Sequence, residues 1–282
     1  MSTEPVLLFN EPEAENTVTV DMPKRGFPWM MFLLLSVVTV ITSLLIVPYT
    51  IKLGSIGMEG LADNPGLLYV GTLIQAVVLN IPALLVGLFV ARRLSLGLPH
   101  LEAAMYKRQA PGGFKRGLIF SALVGFGGGV VLLLLAGAFA SVLPAELTGL
   151  SPDSLPTPFE GFLASISAGF NEEVLLRLFM LSLIAWGIQA VVARRTIGRP
   201  GTATLWVANV LAAVIFGLLH MGNLAIMDIA ITPVLILYII VMNGLVGLGF
   251  GWLYWTFGLE LAILAHFFTD IVLHVIAAAV AQ

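Results

Sequence analysis

The 282-residue sequence contains no cysteine and few charged residues. Without cysteine there is no disulfide, thiolate nucleophile or iron–sulfur cluster, so any metal ion would have to be bound by His, Asp or Glu. Charged residues make up only 10% of the chain, against about a quarter in soluble domains, while hydrophobic residues make up 59%. A net charge of −3 also provides no basic surface for nucleic acid. These absences exclude soluble enzymes and nucleic-acid binders and predict a protein embedded in lipid.

Seven apolar windows are long enough to cross the hydrocarbon core of a bilayer, which takes about 20 helical residues. They are Pro28–Ile51, Pro65–Ala91, Gly117–Leu143, Gly161–Ala193, Thr202–His220, Ile229–Leu259 and Leu261–Val280. The sequence therefore predicts an all-α fold, a polytopic membrane helical bundle with about seven transmembrane helices, or eight if residues 161–193 are broken. Residues 28–282 are expected to form a single transmembrane domain, and residues 1–27 an acidic, flexible cytoplasmic tail.

The basic residues fall almost entirely on one side of this predicted topology. Apart from Lys52 and Arg177, they lie in the N-terminal segment or in loops on the same side: Lys24, Arg25, Arg92, Arg93, Lys107, Arg108, Lys115, Arg116, Arg194, Arg195 and Arg199. Cytoplasmic loops of membrane proteins are enriched in Lys and Arg. We therefore expect a cytoplasmic N-terminus. Short loops and a compact chain favour an integral protein of a prokaryotic cytoplasmic membrane.

Ionisable residues within the spans are confined to the fourth, fifth and seventh windows. In the fourth, Glu173 and Arg177 are four residues apart and can pair on one helix face. Glu172 points about 100° round the helix from Glu173 and can face a cavity. A desolvated carboxylate near a fixed cation can take a proton from water. A structural charge cluster that locks helices together is an equal alternative.

Histidines mark the other two polar helices. The fifth window ends in His220, and the seventh carries His266, Asp270 and His274 at intervals of four. Such a row suits a proton path, part of a metal site or a donor array for a developing oxyanion. Because a charge at mid-bilayer costs at least ~2.5 kcal/mol, we expect the three polar faces to meet around one pocket. Glu172, His220 and His266 should then lie within reach of a common water or ion.

Three short motifs occur in order on these polar helices: Glu-Glu-x-x-x-Arg at 172–177, Phe-x-x-x-His at 216–220 and His-x-x-x-Asp at 266–270. Together they resemble the motifs of the CAAX protease and bacteriocin-processing (CPBP) family of intramembrane proteases, which includes the type II CAAX prenyl endopeptidases. The resemblance covers about residues 117–280, a protease-like core. Two positions depart from the common pattern: Leu178 stands where many members have Gly, and Asp270 where many have Asn.

The resemblance implies hydrolysis of a peptide bond in or near the membrane, with a peptide or membrane-protein substrate and the lipid bilayer as partners. Glu172 would activate a water that His220 helps to hold, and His266 would face the carbonyl oxygen. The full set of implied catalytic residues is Glu172, Glu173, Arg177, His220, His266 and Asp270. Asp270 would either donate a hydrogen bond as a protonated acid or orient His266.

Two questions stay open at the level of the residues. Glu172, His220 and His266 could bind a divalent metal such as zinc with one open position, and a metal-free, glutamate-activated water is equally compatible. The same polar residues would also suit a proton- or cation-coupled transporter, or a catalytically silent membrane scaffold derived from the protease family.

Overall fold

A computed structural model describes residues 26–54, 64–144, 155–226 and 230–281, and these ranges are helical with no strand. Seven segments are long and apolar enough to span a bilayer: Trp29–Leu53, Pro65–Arg93, Phe114–Phe139, Pro158–Val192, Thr202–Met221, Pro233–Phe257 and Leu259–Val280. The predicted all-α bundle of seven spans is confirmed, and the protein is an integral membrane protein. The predicted tail at residues 1–27 lies outside the described residues except for its last two.

Several spans are composed of two helices. The helices are Trp29–Leu45 and Val47–Gly54, Pro65–Gln75 and Ile81–Arg93, the short connecting helix Pro99–Met105, Phe114–Phe139, Pro158–Glu173 and Ser182–Val192, Thr202–Ile226, Pro233–Phe257, and Leu259–Asp270 and Ala277–Ala281. Three π-helical stretches join helix pairs within the second, fourth and seventh spans: Ala76–Asn80, Val174–Leu181 and Ile271–Ile276. Because a π turn keeps the backbone hydrogen-bonded, with a shift to i→i+5 partners, the fourth span is one continuous helical segment.

Helix ends differ from the predicted windows where polar residues continue or start a helix. The third span begins at Phe114 rather than at residue 117, because Lys115 and Arg116 extend the helix into the interface. The fourth begins at Pro158, where Thr157 and Glu160 form a capping box. The amide of Thr157 donates to Glu160 Oε2 at 2.7 Å, and the amide of Glu160 donates to Thr157 Oγ1 at 3.3 Å. Hydropathy detects apolar side chains, whereas caps decide where a helix starts.

Loop contacts define the two ends of the bundle. On the side where the first span begins, here called the N-side, the Gly198 amide donates to the Arg93 carbonyl at 2.7 Å. The Leu259 amide on the same side donates to the Gly97 carbonyl at 2.9 Å. At the opposite side the first and seventh spans meet, where Tyr49 Oη and His274 Nδ1 are 3.1 Å apart. The spans therefore alternate in direction, as the predicted topology requires.

Glycines of the third span allow it to pack closely against the seventh. A Cβ added to Gly125 would lie 2.5 Å from the Ala265 carbonyl oxygen, and one on Gly129 would lie 2.6 Å from Val272 Cβ. Helices in lipid approach closely at small residues because no hydrophobic gradient drives their association. These contacts hold the third span against the seventh.

Candidate active site

The centre of the site is the ion pair of Glu173 and Arg177 in the fourth span. Arg177 Nη1 donates to Glu173 Oε1 at 2.9 Å, and Nη2 donates to the Gly247 carbonyl of the sixth span at 2.8 Å. Glu173 is 0% and Arg177 2% exposed. A Cβ on Gly247 would lie 2.9 Å from Arg177 Nη2, so the guanidinium needs this glycine. The pair expected from i,i+4 spacing is present and is tied to a second helix.

The same carboxylate binds the seventh span. His266 Nδ1 lies 2.8 Å from Glu173 Oε1, so Glu173 accepts from both Arg177 and the imidazole. With the Nδ1 hydrogen donated to Glu173, the other ring nitrogen, Nε2, faces Glu172 and Asp270. Nε2 is 3.7 Å from Glu172 Oε2 and 3.7 Å from Asp270 Oδ2. Five of the six predicted site residues thus form one cluster.

Glu172 differs from its neighbour in exposure. Its side chain is 30% exposed, whereas that of Glu173 is fully buried. Among the described residues it makes no hydrogen bond, and its nearest charged partner is His266 at 3.7 Å. Glu172 is therefore the carboxylate of this pair that faces open space, as the 100° offset between consecutive helical residues predicts.

Phe250 of the sixth span completes the cluster, and the sequence did not single it out. Its ring stacks on His266 with centroids 4.9 Å apart and an interplanar angle of 19°, and Arg177 Cζ lies 5.4 Å from its centroid. The ring is therefore packed between the imidazole and the guanidinium and restricts both. Because Phe250 lies in an aromatic-rich helix, no pattern distinguishes it from ordinary core residues.

His274 does not belong to the cluster, although the spacing places it on the face of His266 and Asp270. It lies within the π-helical stretch Ile271–Ile276, where the turn differs from that of an α-helix. Its ring makes a T-contact with Tyr49 at 5.4 Å, and Tyr49 Oη lies within hydrogen-bond distance of its Nδ1. No hydrogen bond or ion pair joins it to His266 or Asp270 within the described residues.

His220 of the fifth span is also separate from the cluster in its contacts. Its Nδ1 lies 3.0 Å from the Phe216 carbonyl oxygen, and its ring makes a T-contact with Phe216. Within the described residues, no hydrogen bond or ion pair joins His220 to Glu172 or to His266.

A metal site formed by Glu172, His220 and His266 does not fit these positions. In the part of the chain that the structure describes, no three His, Asp or Glu side chains are grouped so as to hold a metal ion. Zinc sites in enzymes use three protein ligands at about 2 Å from the ion. Here Glu172 Oε2 and His266 Nε2 are 3.7 Å apart, but His220 is not grouped with them.

A second, neutral polar cluster adjoins Glu172 and was missed at the level of the sequence. Asn171 Nδ2 donates to Thr42 Oγ1 at 3.0 Å, and Ser43 Oγ donates to Asn171 Oδ1 at 3.3 Å. Asn80 Nδ2 donates to Ser43 Oγ at 3.4 Å. This cluster joins the first, second and fourth spans. An asparagine in mid-span was the available signal, because an amide in lipid must find partners on other helices.

An apolar cavity of about 400 Å³ lies among the first, third, fourth and seventh spans. Its lining includes Phe114 and Glu260, near the N-side ends of their spans, and Thr42 and Phe267, further along theirs. Because Thr42 also bonds Asn171, the cavity borders the neutral cluster.

Residues 154–272 match the sequence model of a protein family described as type II CAAX prenyl endopeptidase Rce1-like. The matched segment contains all six predicted site residues and runs from the start of the fourth span into the seventh. It begins after the third span, so it is shorter than the predicted resemblance over residues 117–280. No curated protein and no solved structure matches the chain.

Proposed function

We propose that this chain hydrolyses a peptide bond within the membrane by means of a water that Glu172 activates. Over residues 154–272 the chain belongs to the CAAX protease and bacteriocin-processing family. The family supports a membrane protease acting on a peptide substrate. The assignment of the individual residues and the metal-free mechanism are our proposal.

One observation carries the proposal: Glu173 Oε1 accepts from both Arg177 and His266 and thereby joins the first and third motifs. This arrangement uses the buried carboxylate for structure and leaves Glu172 half-buried beside His266 Nε2. Two neighbouring carboxylates in different environments can take different roles, one fixed by its partners and one free to exchange protons. The geometry therefore favours Glu172 as the base.

In the proposed reaction, Glu172 takes a proton from water while the water oxygen attacks the scissile carbonyl carbon. The carbonyl oxygen becomes an oxyanion, to which His266, protonated on both ring nitrogens, donates a hydrogen bond from Nε2 beside Asp270. Glu172 then gives its proton to the amide nitrogen as the C–N bond breaks. The products are a carboxylic acid and an amine.

His220 has the role of holding the attacking water from the other side. Its side chain is half-buried. Because its Nδ1 faces the Phe216 carbonyl, Nε2 is the nitrogen left to bind water. A water held between Glu172 and His220 would join two side chains that are not bonded to each other directly.

The orientation of the chain in the membrane and the bounds of its transmembrane domain are part of the same proposal. The described basic residues of the loops lie on the N-side, which we assign to the cytoplasm of a prokaryotic cell. Residues 28–282 form one transmembrane domain, and its protease-like core extends over residues 117–280, because the third span packs on the seventh through Gly125 and Gly129.

The test compares the wild type with Glu172→Gln and His220→Ala in liposomes. The probe is a fluorogenic peptide with a farnesylated CAAX end, beside the same peptide without the lipid, and proton flux is recorded in parallel. We expect the wild type to cleave the probe and Glu172→Gln to lose at least about 10³-fold in rate, since the general base is removed. Unchanged thermal stability of Glu172→Gln would assign this loss to chemistry.

Each other outcome contradicts the proposal in a defined way. Proton flux without cleavage would indicate a transporter. If neither peptide cleavage nor proton flux is observed, and both variants still bind a partner protein, the chain is a catalytically silent scaffold. Full activity of Glu172→Gln would assign the base to another residue, and inhibition by a chelator with recovery on adding zinc would overturn the metal-free mechanism.

A further inference from the structure

We propose that Asn171 is a positioning residue, which through Thr42, Ser43 and Asn80 sets the rotation of the fourth span and so aims Glu172 at the reacting water. The inference rests on the proposed function, because it concerns the aim of the proposed base. It assigns a part in catalysis to the first two spans, which lie outside the segment matched by the family.

The contacts of Asn171 fix its side chain on two helices. Its Nδ2 donates to Thr42 Oγ1 at 3.0 Å and to the Ser167 carbonyl of its own span at 3.1 Å. Its Oδ1 accepts from Ser43 Oγ, which accepts in turn from Asn80 Nδ2. Both donors and the acceptor of the amide group are therefore used. An amide with all of these partners has one orientation.

The neutral cluster lies away from water. Ser43 is 5%, Thr42 7% and Asn80 8% exposed. In the membrane interior no solvent replaces a lost partner, so hydrogen bonds between helices are retained, each contributing on the order of 1 kcal/mol. Rotation of the fourth span would break several of them together. The cluster thus resists that motion more strongly than apolar packing, which permits sliding.

Three consecutive residues of the fourth span face three different environments. Asn171 is anchored to the first span, and Glu173 to the sixth and seventh spans through Arg177 and His266. Consecutive helical residues are about 100° apart, so the two anchors lie about 200° apart around the axis. Glu172 lies between them and has no hydrogen bond of its own within the described structure. Its direction is therefore set by its two neighbours.

Purely architectural hydrogen bonding would make a different prediction. Ser165, in the same span and 0% exposed, donates to the Gly161 carbonyl of its own helix and to no other span. Substitution of Ser165 by alanine removes a buried hydroxyl but no bond to another span, so the helix is no freer to rotate. Ser165→Ala is thus the matched control for variants of the neutral cluster.

The experiment measures kcat and KM of Asn171→Ala, Ser43→Ala and Ser165→Ala in liposomes with the farnesylated fluorogenic peptide, together with thermal stability. We expect kcat to fall by about 10- to 100-fold in Asn171→Ala, because a displacement of about 1 Å at a reacting group has effects of this size. KM should stay within about twofold, since neither Asn171 nor Ser43 lines the cavity. Ser43→Ala should show a smaller fall in kcat, and Ser165→Ala none.

The outcomes separate this inference from the proposed function. Normal kcat in both Asn171→Ala and Ser43→Ala, with Glu172→Gln inactive, would overturn the positioning role alone. Activity of Glu172→Gln would overturn the proposed function instead. If Ser165→Ala and Ser43→Ala lose kcat and stability to the same extent, the neutral cluster has only a structural role. If Asn171→Ala fails to fold, Ser43→Ala still tests the positioning role.

Discussion

Two polar clusters meet at the fourth span, and they differ in the kind of side chain they contain. One, between the first, second and fourth spans, consists of the neutral residues Thr42, Ser43, Asn80 and Asn171. The other, between the fourth, sixth and seventh spans, is ionisable and contains two buried carboxylates, a guanidinium and an imidazole. The first can only hold helices together, whereas the second can also exchange protons.

This difference corresponds to a difference in energetic cost. A neutral hydrogen bond between helices in lipid contributes on the order of 1 kcal/mol, and its loss leaves no unpaired charge. A buried ion pair stabilises only while both members are present, because a single remaining charge is uncompensated. The ionisable cluster should therefore be far more sensitive to the loss of one member. Substitutions in each cluster test that contrast.

The largest effect is expected from Arg177→Met, which leaves the fully buried Glu173 without its cation. We expect a loss of about 3–5 kcal/mol in the free energy of unfolding, measured by denaturant titration in detergent micelles. Arg177→Met combined with Glu173→Gln removes the stranded charge and should regain a large part of this loss. A single variant as stable as the wild type would show that His266 alone compensates Glu173.

Gly161→Ala tests the contact that keeps the fourth and seventh spans in register beyond the ionisable cluster. The added Cβ would clash with the His274 carbonyl oxygen, so the helices must separate. Overpacking of this kind costs about 1–3 kcal/mol. Gly187→Ala in the same span is the control, because a Cβ there meets nothing within 4 Å and should stabilise the helix. Equal stability of the two variants would contradict this packing.

Asn80→Leu removes the outermost member of the neutral cluster. Ser43 and Asn171 keep their bond to each other, so we expect a loss of only about 0.5–1.5 kcal/mol in the same unfolding assay. A loss as large as that of Arg177→Met would erase the distinction between the two clusters. Asn209→Leu is unsuitable as a control, because the Asn209 amide packs directly against Gly251.

A carboxylate outside the spans provides the smallest effect and a contrast with those inside. Burial raises the pKa of Glu102 in the N-side loop, although Arg92 and Arg108, at 3.5 and 3.7 Å, act in the opposite direction. Because the folded-state pKa is raised, ionisation costs stability as the pH rises from the ordinary Glu range through the raised value. We expect the melting temperature of the wild type to fall relative to Glu102→Gln between pH 4 and pH 8. A difference independent of pH would contradict the raised pKa.

Part of the site was predictable from local spacing. The pair of Glu173 and Arg177 follows from i,i+4 geometry, and the 100° offset of Glu172 follows from the helical repeat. The contact between His266 and Glu173 spans 93 residues of sequence, and no local pattern contains it. His274 lies in a π-helical stretch, which hydropathy does not reveal, and its contact with Tyr49 spans 225 residues of sequence.

The number and order of the spans were determined by the sequence itself, because in lipid every backbone group must bond within its own helix and only long apolar runs can do so at low cost. Which polar faces meet, and which carboxylate is buried, was decided by tertiary packing. Glycine contacts such as Gly125 against Ala265 set the distance between helices, and the anchors on either side of Glu172 set its direction. The periodicity of one helix predicts neither the distance between helices nor the direction of Glu172, because both depend on the positions of the neighbouring helices.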